Sequence, residues 1–131
     1  MDSNIFYWIF LLIIIVGIAL LYFARRKKTG LSWERIEFYK KEIKKTYYSS
    51  ASEKILQYDK ILNHILKDFW YEWNLGDQLK AKPSVITNLD DIWKLHKIRN
   101  QIAHELGQQS EVKLQVDAKR YEKELLKILE N

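Results

Sequence analysis

Leu95-His96-Lys97-Ile98-Arg99-Asn100-Gln101-Ile102-Ala103-His104-Glu105 is the stretch on which the reading of this chain turns. At about 100° per residue, Leu95, Ile98, Ile102 and Leu106 share one face of a helix. His96, Asn100, Ala103 and His104 share roughly the opposite face, with Arg99 at its edge. A helix that buries one face has no packing use for an arginine, an asparagine and two histidines elsewhere on its surface. The run therefore predicts a packed helix and, on it, the residues where function is expected.

The neighbouring segments also read as helices. Asn88, followed by Asp91, makes a capping-box-like start with acids in the first turn, and Gly107 is a natural stop after Leu106. Upstream, Ile55, Leu56, Tyr58, Asp59, Leu62, Ile65, Leu66 and Phe69 predict a strong amphipathic helix introduced by Ser49-Ser50-Ala51-Ser52. Phe69, Trp70, Tyr71 and Trp73 end it and are expected to cap the bundle core; base stacking is the alternative use of such rings. Leu75 to Leu79 starts a short helix, and Pro83 marks a loop. Residues 108–114 read as a connector, because the alternating Val112, Leu114 and Val116 have no second strand to pair with. The last helix, from about Gln115 to Glu130, is expected to bury Ala118, Tyr121, Leu125, Ile128 and Leu129. Before all of these, Ser32 caps a modestly amphipathic helix that runs to about Tyr48 and carries Trp33, Ile36, Tyr39 or Lys40, Ile43 and Tyr47.

The N-terminus is different in kind. Ile5 to Phe23 is almost wholly apolar, and about 20 such residues cross the hydrocarbon core as a helix. Tyr7, Trp8 and Tyr22 lie near its ends, where aromatic rings favour the headgroup level. The first residues carry no basic n-region and no small-x-small cleavage site follows, so an anchor is expected rather than a cleaved signal. Arg25-Arg26-Lys27-Lys28 follows directly, and the positive-inside rule then puts the C-terminal part in the cytoplasm. The division expected is 1–28 as a single-pass membrane anchor with its basic cluster, 29–49 as a connecting helix, and 50–131 as a small antiparallel bundle, four to five helices in all; the class is all-α.

Charge restrains a nucleic-acid reading. The chain is formally +5, but beyond Lys28 it carries 18 basic and 16 acidic side chains, so most of the excess belongs beside the anchor. Lys40-Lys41 with Lys44-Lys45 reads as a solvated helix face. The absence of cysteine excludes disulfides and thiolate metal ligands. His96 and His104 stand two turns apart with no third ligand at metal spacing, and the four scattered glycines make no phosphate loop. No metal or other cofactor is expected.

Arg99-Asn100-x-x-x-His104 resembles the Arg-x4–6-His signature of the HEPN superfamily, in its form with a polar residue after the arginine. Lys54 to Leu66 is similar to the first long helix of bacterial HEPN-like domains, Leu75 to Leu79 to the turn and short helix after it, and Ala118 to Leu129 to the closing helix. The resemblance covers roughly residues 50 to 130. It implies a small all-helical domain, for many members a metal-independent endoribonuclease, dimerising with the motif helices face to face. Arg99 would hold the phosphate, His104 would carry the proton and Asn100 would orient one or the other; His96 and Asp59 would be supporting residues. Arg99 and His104 diverge by roughly 140° on one helix, which a composite cleft between two copies would resolve. The implied partners are the membrane, a second copy of the chain and an RNA substrate; an antitoxin or other regulator is left open. The alternative the resemblance allows is a non-catalytic dimerisation or nucleotide-binding module at the membrane. Residue by residue, Arg99 pairing with an acid and His104 serving as a helix-end histidine are the purely structural readings.

Overall fold

The computed structural model describes residues 3–26, 30–105 and 109–131. Among them are six helices and no strand: α1 Ser3–Arg26, α2 Trp33–Lys45, α3 Ala51–Asp68, α4 Leu75–Lys80, α5 Leu89–Ala103 and α6 Glu111–Glu130. The chain divides into two compact units, Met1–Gly30 and Leu31–Asn131. The fold is all-α, as the periodicity requires.

The first unit is α1. Its Asn4–Phe23 stretch is long and apolar enough to cross a membrane, and none of it is buried. Leucine, isoleucine and aromatic side chains all round the helix stand exposed, an arrangement that water penalises and hydrocarbon does not.

The second unit is a bundle organised on α3, which packs against α2, α4, α5 and α6. Ile55, Tyr58, Leu62, Ile65 and Leu66 recur at helical spacing and are all buried, so α3 offers an apolar stripe to every neighbour. Its start is fixed by a reciprocal capping box: Ser50 Oγ accepts from Glu53 N at 3.3 Å and Glu53 Oε2 accepts from Ser50 N at 3.0 Å. Ser32, Asn74, Asn88 and Ser110 cap the other helices of the bundle in the same side-chain-to-backbone manner.

The structure differs from the sequence expectations in four places. Helix α2, expected as a connector, belongs to the bundle: Tyr39 and Ile43 lie in the core, and Tyr39 Oη donates to Asp68 Oδ2 at 2.7 Å. Asp68 also binds the Arg35 guanidinium at 2.6 Å, so α2 and α3 are tied by one carboxylate. Helix α6 begins at Glu111 rather than Gln115, because Ser110 caps it; Leu114 is buried while Val112 and Val116 stay exposed. Helix α5 ends at Ala103, with Glu105 at φ 52° taking the left-handed position expected of Gly107. Gly107 and Leu106 lie outside the described residues. Of the aromatic run, Phe69 and Tyr71 pack on the core as expected, but Trp70 and Trp73 are 64% and 72% exposed and both have positive φ.

Candidate functional site

The site forms where α5 and α6 meet α3, around one buried acid. Asp59 sits on the apolar stripe of α3, one residue past Tyr58, and is only 5% exposed. A carboxylate taken out of water there needs donors from the helices that cover it. Helix α6 supplies Tyr121, fully buried, whose hydroxyl donates to Asp59 Oδ1 at 2.8 Å. Helix α5 supplies His96, with Nδ1 2.9 Å from the same oxygen, and Arg99, with Nε 3.3 Å from Oδ2.

Helix α5 can do this because Ile92, Leu95, His96 and Arg99 are spaced 0, +3, +4 and +7, which is one face. Ile92 and Leu95 are fully buried. His96 and Arg99 continue that buried stripe and so face α3. This corrects the placing of His96 on the face opposite Leu95: reading the face from Leu95 onward left out Ile92, which sets the direction of the core.

A second set of bonds closes a ring. Arg99 Nη1 donates to Asn100 Oδ1 at 2.9 Å, and Asn100 Nδ2 lies 3.4 Å from His96 Nε2. The carboxylate accepts, so His96 carries hydrogen on Nδ1; in a neutral ring Nε2 is then the acceptor that Asn100 serves. Asp59, His96, Asn100 and Arg99 thus orient one another in a closed circuit. Arg99 Nε is near enough to Asp59 for ion pairing yet is not aligned for a hydrogen bond. The Arg99 side chain remains 37% exposed, so the guanidinium is held from behind while part of it meets solvent.

The structure brings together four of the five residues singled out: Arg99, Asn100, His96 and Asp59. The fifth, His104, is the C-cap of α5 and lies outside the circuit. Its backbone N–H bonds to Asn100 O and Ile102 O while its side chain is exposed. That is the helix-end position of the purely structural reading.

Tyr121, expected only as a core residue, also belongs to the site. A buried tyrosine hydroxyl needs a partner, and the one acid on the core stripe of α3 needs a donor. Burial and the Asp59 charge together push the Tyr121 phenol well above its ordinary pKa, so it stays a donor throughout the neutral range.

The surroundings fix the ring further. Trp93 meets the His96 ring edge-on at 6.0 Å between centroids. Gly76 at the start of α4 lies beside the ring: a Cβ there would come 3.8 Å from His96 Nε2. Arg120 of α6 binds Asp91 in the first turn of α5 at 2.8 Å and pins that helix at its other end. Among the described residues, no three His, Asp or Glu side chains gather as a metal-binding set.

Fold and site together describe an apolar N-terminal helix joined to an all-α bundle with a carboxylate-centred polar circuit in its core. Compared with family models, curated proteins and solved structures, the chain matches none.

Proposed function

We propose that this chain is a membrane-anchored, HEPN-like domain that acts as a metal-independent endoribonuclease, with the bundle on the cytoplasmic side. The orientation rests on Arg25 to Lys28 following the apolar helix. The observation that carries the chemical reading is the posture of Arg99. Asp59 and Asn100 hold two of its nitrogens while more than a third of the side chain meets solvent. A guanidinium fixed in this way needs little reorganisation to bind a phosphodiester and offset its growing charge.

His104, one turn further on and exposed, takes the proton from the RNA 2′-hydroxyl. The 2′-oxygen attacks phosphorus, the bond to the 5′-oxygen breaks, and an imidazolium returns a proton to that leaving oxygen. The products are a 2′,3′-cyclic phosphate and a 5′-hydroxyl. Arg99 of one copy and His104 of another would share the cleft, and an anchor that confines chains to a membrane raises their effective concentration. Asp59 and His96 act as positioning residues for Arg99 and Asn100.

A second reading is favoured by the same circuit. Asp59 turns the charge of Arg99 inward and His104 stands apart from it, which suits a non-catalytic dimerisation or nucleotide-binding module equally well.

The test uses the full chain in detergent micelles, labelled RNA and excess chelator, beside His104→Ala. Cleavage leaving cyclic phosphate ends in the wild type and absent from the variant is the expected result. Intact RNA with a folded wild-type protein would leave the module reading in its place.

A further inference from the structure

We propose that the outer edge of α2 is a second membrane contact, a lysine–aromatic surface that rests on anionic lipid headgroups; it builds on the anchoring role of α1. Three observations meet there.

The first is the exposure of rings. Outside α1, the exposed aromatic side chains among the described residues are Trp33, Phe38, Tyr47, Tyr48, Trp70 and Trp73. Four of these belong to α2 or the turn just after it; Trp33 lies on the edge that carries Lys40 and Lys44, whereas Phe38 is about 140° round the helix from it. Folding does not require them outside: the core face of α2 is already supplied by Tyr39 and Ile43.

The second is their arrangement with lysines. Trp33, Glu37, Lys40 and Lys44 are spaced 0, +4, +7 and +11, a single stripe along the helix. The Lys40 ammonium lies 5.9 Å from the centre of the Trp33 ring, and the Lys54 ammonium 5.5 Å from that of Tyr47. Amphipathic rings beside lysines that extend their charge past them are what the headgroup level of a bilayer favours.

The third is where the charge lies. Residues 29–54 carry six basic and four acidic side chains, while residues 55–131 carry twelve of each. All the net positive charge of the second unit is therefore in its first part, nearest in sequence to the apolar helix. Residues 27–32 join α1 to α2, and six residues at full extension span only about 20–22 Å. A basic, aromatic edge on so short a tether from a membrane-spanning helix is complementary to an anionic leaflet.

The chain has no cysteine, so one can be introduced for a single label. Glu37→Cys puts the label within the stripe, and Lys123→Cys on α6 serves as the control. The full chain is mixed with vesicles of phosphatidylcholine alone or with about a third phosphatidylserine, each with brominated acyl chains, and flotation and quenching are read together. The expected result is flotation with both compositions, and quenching at position 37 at least twice that at 123 on the anionic vesicles only. That difference should vanish when Lys40→Glu and Lys44→Glu are combined.

Flotation with both compositions but equal quenching at the two positions would overturn the α2 contact and leave the anchor standing. Flotation with anionic vesicles alone, with position 37 quenched, would overturn the anchor and support the contact. No flotation with either would overturn both. A label at 37 shielded from aqueous iodide but unquenched by bromolipid would mean that protein covers this edge, and would overturn the lipid assignment.

Discussion

Asp59→Ala is expected to lower the stability of the bundle by about 3 kcal/mol, within the range for removing one partner of a buried, hydrogen-bonded charge. The carboxylate is 5% exposed and gathers Tyr121, His96 and Arg99. Without it, a fully buried tyrosine hydroxyl loses its acceptor and two cationic or polar side chains of α5 face an apolar wall. The loss concerns all three helices that meet at the site, so α5 and α6 should loosen from α3 together. Urea denaturation of the full chain in detergent, followed by circular dichroism, measures it. Tyr121→Phe removes only one of the hydrogen bonds to the carboxylate and should cost about 1.5 kcal/mol. An Asp59→Ala loss no larger than that of Tyr121→Phe would mean that the circuit does not hold the bundle together.

On the proposed ribonuclease function, Arg99→Ala is expected to slow RNA cleavage by roughly 10²–10³-fold, the usual effect of removing a donor that stabilises developing charge. Arg99 is partly exposed, and Asp59 keeps Tyr121 and His96, so the fold should survive the change. Arg99→Lys should recover little. An ammonium on a flexible stem cannot face Asp59 with one nitrogen and Asn100 with another while offering a third to phosphate. Single-turnover cleavage with the variants at matched folded concentration checks this. Equal rates for wild type and Arg99→Ala would remove Arg99 from the chemistry.

Much of the bundle was legible because its signals are local. The stripe of α3 is complete within Ile55 to Leu66, and Ser32, Ser50 and Asn88 announce their helices by capping chemistry that needs only three residues of sequence. The start of α6 was not, because Val112, Leu114 and Val116 alternate as a strand would, and burial of Leu114 alone depends on docking. The end of α5 was misplaced for a related reason. Glycine is the residue expected in the left-handed position, at a cost to other residues of about 1–2 kcal/mol, yet Glu105 takes it.

The candidate site divides in the same way. Arg99, Asn100 and His96 were found together because they lie within one turn or so of each other. Their meeting with Asp59, 37 residues from His96, and the 62-residue reach from Asp59 to Tyr121 exist only once three helices pack. With Ile92 counted, the stripe of α5 runs through His96 and Arg99, and an acid opposite them becomes a requirement rather than a surprise.

The proposed ribonuclease function requires Arg99 to be a phosphate site oriented by Asp59, which the nitrogen-15 spectrum of the arginine side chains tests. The full chain in micelles would be titrated with short single-stranded RNA whose 2′-hydroxyls are methylated, so that binding proceeds without cleavage. The Arg99 guanidinium resonances are expected to shift with saturation, the His104 ring to shift with them, and Asp59→Asn to weaken the effect. Arg99 resonances that stay in place while other arginines move would contradict the proposed function.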